Sequence, residues 1–175
     1  MIRIATLVIG MVLWGHAANA EFYSPIQDAE FGLICPQPSL GERAAPDTLS
    51  GFVRSIPKNT QIAIHSAIVP AELNAEFGIR VRLAPGFGDI AATVVITHPP
   101  YTESGITRES YSTTLSDSGW SLSAFRFDEP FEILPGAWTF ALQSNGRVLL
   151  RQRFDVVQDY DLGETLRCPN PDLSS

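Results

Sequence analysis

Histidine and cysteine are scarce in this chain, with three of the first and two of the second among 175 residues. No His-x-His, His-x-x-x-His or Cys-x-x-Cys spacing occurs, so neither a closed zinc site nor a dithiol redox centre is written into it. A Gly-x-Ser-x-Gly elbow is also missing, and with it the usual mark of one large class of serine hydrolases. Basic residues number 12 against 19 acidic ones, for a net charge of −7. Nucleic acid and anionic lipid both demand a basic footprint, which argues against them as general partners. Helical patterning is nearly absent, the single candidate being one turn from Ala71 to Glu76 behind Pro70. No apolar run reaches the roughly 20 residues of a membrane-spanning helix, so stable membrane insertion is not expected.

What is present begins with an export signal. Arg3 supplies the positive start, Ile4 to Trp14 the apolar run, and Ala18-Asn19-Ala20 the small-residue cleavage motif. The expectation is a signal peptide over residues 1–20, cleaved after Ala20, and a periplasmic or secreted product. Glu21 stands where a lipoprotein would need cysteine. Cleavage removes one basic residue and no acidic one, so the mature chain is more acidic still.

Export into an oxidising compartment bears on the two cysteines. Cys35-Pro36-Gln37-Pro38 and Cys168-Pro169-Asn170-Pro171 are both Cys-Pro-x-Pro, and each proline biases the residue before it toward an extended backbone. A Cys35–Cys168 disulfide is expected, acting as a staple between an N-terminal and a C-terminal arm.

Residues 36–60 are rich in breakers and suggest a loop with one short strand, Leu49 to Arg54. From Ile62 onward a period of two takes over, the pattern of strands with one buried face. Ile62, Ile64 and Ile68 share one face, and Phe77, Ile79, Val81 and Leu83 another, with Arg80 and Arg82 pointing away. Ala92, Val94, Ile96 and His98 line a third strand, Tyr111 to Leu115 form a fourth, and Ser121 to Asp128 a fifth. A hairpin follows, turning at Asn145-Gly146. With Ile26 to Ile34 added, the reading is an all-β, antiparallel immunoglobulin-like sandwich of about eight strands. Its expected divisions are an arm over residues 21–60, a β-sandwich domain over 61–158 and a tail over 159–175.

The stretch from Phe127 to Phe140, with its Phe-Asp-Glu-Pro-Phe start and Pro135-Gly136-Ala137-Trp138-Thr139-Phe140 end, resembles the signature of a bacterial family designated domain of unknown function 3859. Val69-Pro70-Ala71, Phe77-Gly78 and His98-Pro99 resemble its earlier landmarks. The likeness covers about residues 62 to 157 and leaves the cysteine-bearing arms outside. It implies an exported, non-enzymatic module and transfers no catalytic residue.

Candidate chemistry is sparse. His65 reads as a half-exposed strand residue and His98 as a strand end against Pro99-Pro100. Asp128, Glu129 and Glu132, and separately Asp159, Asp161 and Glu164, could offer oxygen ligands to calcium or a carboxylate pair to a glycosidase. Neither group follows a calcium-loop pattern, and loop carboxylates are ordinarily just solvated. Strand aromatics read as core, while Phe87, Tyr101 and Phe131 fall in loops where aromatics anchor partners.

Alternation of loops between the two ends of a sandwich would gather residues 70–76, 99–108 and 129–136 at one end. Tyr101, Glu129, Phe131 and Glu132 are therefore the candidate partner-binding residues, suited to a basic protein or peptide. The expected function is a non-catalytic binding or accessory module without catalytic residues, metal or cofactor. The alternative is a small periplasmic hydrolase or metal-dependent enzyme using His98 and nearby carboxylates.

Overall fold

The computed structural model describes residues 20–158, 160 and 168. The proposed signal segment and most of the C-terminal tail lie outside the described residues.

Eleven strands occur among the described residues. They are β1 (Glu21–Phe22), β2 (Ile26–Ile34), β3 (Gly41–Ala44), β4 (Phe52–Ser55), β5 (Ile68–Pro70), β6 (Glu76–Leu83), β7 (Ile90–Thr97), β8 (Arg108–Leu115), β9 (Trp120–Arg126), β10 (Gly136–Ser144) and β11 (Arg147–Val157). The first sheet runs β1-β11-β10-β7-β8, and β5 joins it by a parallel pairing with the far end of β11. The second is β2-β6-β9, and β3-β4 form a separate hairpin. Every pairing but that of β5 is antiparallel. The architecture is the all-β sandwich that the period-two patterning implies.

Each sheet turns one face inward, and alternation decides which side chains go there. Ala92, Val94 and Ile96 of β7, Trp138, Phe140 and Leu142 of β10, and Leu150, Phe154 and Val156 of β11 are buried. They face Phe77, Ile79, Val81 and Leu83 of β6. Phe77 is the hub, with ring centroids of Phe154, Phe127, Phe140, Trp138 and Phe125 lying 5.1 to 6.2 Å away. Edge-on ring packing of this kind adds attraction beyond the area removed from water. The Asn145-Gly146 turn carries positive φ at both residues (49° and 74°), as a two-residue hairpin turn demands.

Four sequence expectations need correction. Residues 21–60 are not an arm outside the sandwich, because β2 pairs with β6 along its whole length and β1 with β11. Ile62, Ile64 and Ile68 do not share a strand face. The segment instead crosses β2 irregularly, meeting it in one bridge, Leu33 to Ile64, while Ile68 is exposed. The helical turn read at Ala71 to Glu76 is absent: residues 71–75 make a turn with Asn74 at φ 68° that links β5 to β6, and Glu76 already belongs to β6. The strand read at Leu49 to Arg54 begins at Phe52 and has an unforeseen partner in β3. Cys35 and Cys168 are bridged, with Cα atoms 5.3 Å apart.

Candidate functional site

The three loops assigned to one end do meet there. The Tyr101 and Phe131 rings are 5.7 Å apart, edge to face. The Asn74 N–H donates to the Phe127 carbonyl at 2.8 Å, and Pro99 Cγ stands 3.0 Å from where a Cβ on Gly136 would be. At the other end the Asp117 carboxylate accepts the Gly88 N–H, and Phe87 shares a shallow hollow with Asn145.

Within the first end the four candidates fare differently. Phe131 is 47% exposed and Glu129 is exposed. Tyr101 is not an exposed anchor, for only 2% of it reaches solvent. Its loop folds back through the Tyr101 N–H to the Ile106 carbonyl, which turns the ring under the sheet end. Glu132 is occupied within its own turn. Its Oε2 accepts the N–H groups of Asp128 and Glu129, capping the 3₁₀ turn Pro130–Glu132.

Beneath this surface lies a buried polar cluster. Glu109 Oε1 accepts the Tyr101 hydroxyl at 2.8 Å, and Oε2 accepts the Leu49 N–H at 2.9 Å. The His98 ring is sandwiched between Tyr101 (4.3 Å) and Trp138 (4.8 Å). Its Nδ1 lies 2.7 Å from the Pro99 carbonyl and must carry a proton to bond there. Nε2 stands 3.4 Å from Glu109 Oε1 and has no hydrogen-bond partner among the described residues. Burial pushes the Glu109 carboxyl up, but His98, the Leu49 N–H and the Tyr101 hydroxyl outweigh it and hold it below the ordinary range. Burial, reinforced by Glu109, pushes the Tyr101 phenol up, so it stays a neutral donor. The cluster ties the β3-β4 segment to the sandwich, with a second tie from the Ser110 N–H to the Asp47 carbonyl at 3.0 Å.

The tie leaves space. Between the β3-β4 hairpin and the open side of the sandwich, where β8 and β9 diverge, is a cleft of about 810 Å³. Tyr111 and Ser123 lie in its depth, Phe52 and Phe131 at its rim, and Arg54 and Arg126 along its wall. Arg54 pairs with buried Glu76 at 3.4 Å and with Asp128 at 3.3 Å, and Arg126 also pairs with Asp128. Burial raises the Glu76 pKa against the opposing pull of Arg54.

Sequence reasoning missed Glu109, Arg54 and Tyr111 as parts of one site. A signal existed for Glu109, since it shares strand parity with Tyr111, Thr113 and Leu115 and so must point inward. Arg54 gave none, because its role depends on where the hairpin docks. His65 is exposed on the crossing segment. Among the described residues no group of three or more His, Cys, Asp or Glu side chains is placed to hold a metal ion. The acidic group Asp159, Asp161 and Glu164 lies outside the described residues.

The family described as Domain of unknown function (DUF3859) matches residues 26–156. That span is longer than the likeness read from the sequence, taking in β2 and Cys35. No curated protein matches the chain. Among solved structures, the chain is similar to an immunoglobulin-like protein from Pseudomonas aeruginosa, 22% identical, covering 82% of this chain and 100% of that one at a TM-score of 0.50. The likeness establishes the immunoglobulin-like fold and nothing about activity. A Pseudomonas fluorescens alkylpurine DNA glycosylase bound to abasic DNA reaches a TM-score of 0.33 at 10% identity, over 51% of this chain and 27% of that one. Nothing about this protein follows from that second likeness.

Proposed function

This chain belongs to the DUF3859 family, and we propose that it is an exported, non-catalytic module that binds a polypeptide partner in the cleft between the β3-β4 hairpin and β9. One observation carries the reading: a cleft of about 810 Å³ walled by a rigid sandwich, with half-exposed Phe52 and Phe131 at its mouth. Binding clefts combine apolar anchors with a few convergent polar groups, and this one has both. Arg54 and Arg126 are matched by Glu76 and Asp128, while Arg43, over the Tyr111 ring, and Lys58 line the same cleft with no ion pair among the described residues. At the Phe131 end Glu129 is exposed and in no ion pair among the described residues, which favours a basic residue on the partner at that end.

Export rests on the order of Arg3, apolar run and Ala18-Asn19-Ala20, and is supported by the Cys35–Cys168 bridge, which suits an oxidising compartment. N-terminal sequencing of the product recovered from outside the cytoplasm should begin at Glu21. Full-length protein in the membrane fraction would overturn the export reading.

A hydrolase built on His98 is disfavoured by burial. Its side chain is 0% exposed, stacked on Trp138 and flanked by the tilted Tyr101 ring, so no substrate atom reaches it without dismantling the loop end. A photoreactive amino acid placed at Phe131 should capture a discrete partner in cells, and one at Phe87 should not. Equal capture from both positions, or none from Phe131, removes the cleft as the working surface.

A further inference from the structure

The cleft is bounded by an unfinished sheet. β9 is the last strand of β2-β6-β9 and, among the described residues, pairs with β6 alone. The Phe127 N–H donates to the Ala75 carbonyl at 3.1 Å, which fixes the alternation. With Phe125 opposite Phe77 and Ser123 opposite Ile79, the backbone groups of Phe125, Ser123 and Ser121 face β6. Those of Leu122, Ala124 and Arg126 face away, toward the cleft. Among the described residues no hydrogen bond meets these three N–H groups.

The neighbouring edge is in a different state. On β8 the Ser110 N–H is taken by the Asp47 carbonyl, and just past its end the Ser116 N–H is taken by the Ser121 hydroxyl. Open edges invite another strand, and proteins normally blunt them with lysine, proline or a bulge. β9, Trp120-Ser121-Leu122-Ser123-Ala124-Phe125-Arg126, has no lysine or proline and no register break against β6. Among the described residues it is screened by the hairpin, held across the cleft by Arg54 on Glu76 and Asp128.

The size of the gap selects the occupant. An extended residue fills about 160 Å³, from a rise of about 3.4 Å, a strand spacing of about 4.8 Å and a sheet spacing of about 10 Å. The 810 Å³ therefore holds about five residues of one strand, close to the seven of β9. We propose that an extended peptide segment carrying a basic residue at one end adds as a fourth strand to β9, bonding to the backbone groups of Leu122, Ala124 and Arg126 that face the cleft. The proposal rests on the binding reading above and specifies how the partner is held. Main-chain bonds supply the affinity and alternate side chains the choice. One set enters the hydroxyl-lined depth at Tyr111 and Ser123, and the strand end nearest Glu129 takes a basic residue.

The test uses the disulfide-intact protein, labelled with nitrogen-15, and a synthetic heptapeptide of alternating lysine and valine. Saturating peptide should slow amide exchange at Leu122 and Ala124 at least tenfold. The same peptide N-methylated at alternate residues should not. Ala124→Pro, which removes an outward donor without touching the β6 ladder, should abolish binding; if that variant fails to fold, the N-methylated peptide decides alone. Binding with shifts only around Phe131 and no protection at these amides overturns strand addition while leaving the binding module standing. Absence of any binding by the heptapeptide also overturns strand addition, and the Phe131 crosslink then judges the broader reading separately. Protection that rises with protein concentration and no peptide would identify a second copy as occupant and overturn the proposal.

Discussion

Gly32→Val should destabilise the protein by about 4 kcal/mol or more and leave little folded chain at physiological temperature. A Cβ built on Gly32 would lie 2.0 Å from the Ile64 carbonyl oxygen and 2.7 Å from Ile62 Cγ2. The obstacle is backbone, held in place because that carbonyl accepts the Leu33 N–H at 2.9 Å while the Leu33 carbonyl accepts the Ala63 N–H at 2.8 Å. Relieving the clash means breaking the bridge that brings the 62–64 segment over β2. Gly32 also adopts φ 151°, unfavourable for any side chain. Gly119→Ala is the control, with open space around its Cβ position and no positive φ. It should stay within about 0.5 kcal/mol of the wild type. Urea unfolding followed by tryptophan fluorescence measures both, and a Gly32→Val protein as stable as the control would contradict this account of the crossing.

Glu109→Ala should cost about 3 kcal/mol and loosen the β3-β4 hairpin from the sandwich. The change deprives the Tyr101 hydroxyl and the Leu49 N–H of their acceptor and removes the carboxylate facing His98 Nε2, all in a buried setting. It should also alter the pH dependence of stability. The folded carboxyl is held below its ordinary value of 4.5. A group shifted in that direction stabilises fully above the unfolded pKa, and its contribution disappears as pH falls through the folded pKa. The wild type should therefore lose part of its stability on acidification below about pH 4.5, and Glu109→Ala should lack that part of the slope. Parallel stability profiles for the two proteins would show that Glu109 is not the ionised centre of the cluster.

Limited proteolysis distinguishes these two losses. Glu109→Ala should expose residues 49–60 to cleavage while the strands stay protected, since the hairpin loses its anchor there but the Phe77 core is untouched.

Most of the fold was legible in the residues. Alternation fixed the inward faces of β6, β7, β10 and β11, because a period of two leaves each strand only two choices and one of them is greasy. Asn145-Gly146 fixed the last hairpin through its positive φ angles. The bridge between Cys35 and Cys168 followed from two matching Cys-Pro-x-Pro segments and the expectation of an oxidising compartment. Loop alternation also placed the three loops at one end, since strand order alone requires it.

The site was only half legible. Loop position made Tyr101 and Phe131 equivalent candidates, yet the first is 2% exposed and the second 47%. Which loop aromatic turns inward depends on the Tyr101 to Ile106 backbone bond and on the acceptor waiting at Glu109, contacts between residues that no local pattern relates. The crossing at Gly32 and the docking of the hairpin through Arg54 are long-range in the same sense. By itself the sequence determined the class of the protein, the faces of its strands and the cysteine staple, because periodicity and composition act within a few residues. Only the tertiary structure decided the cleft and the free edge of β9, because both are defined by the distance between segments some seventy residues apart and by hydrogen bonds left unmade.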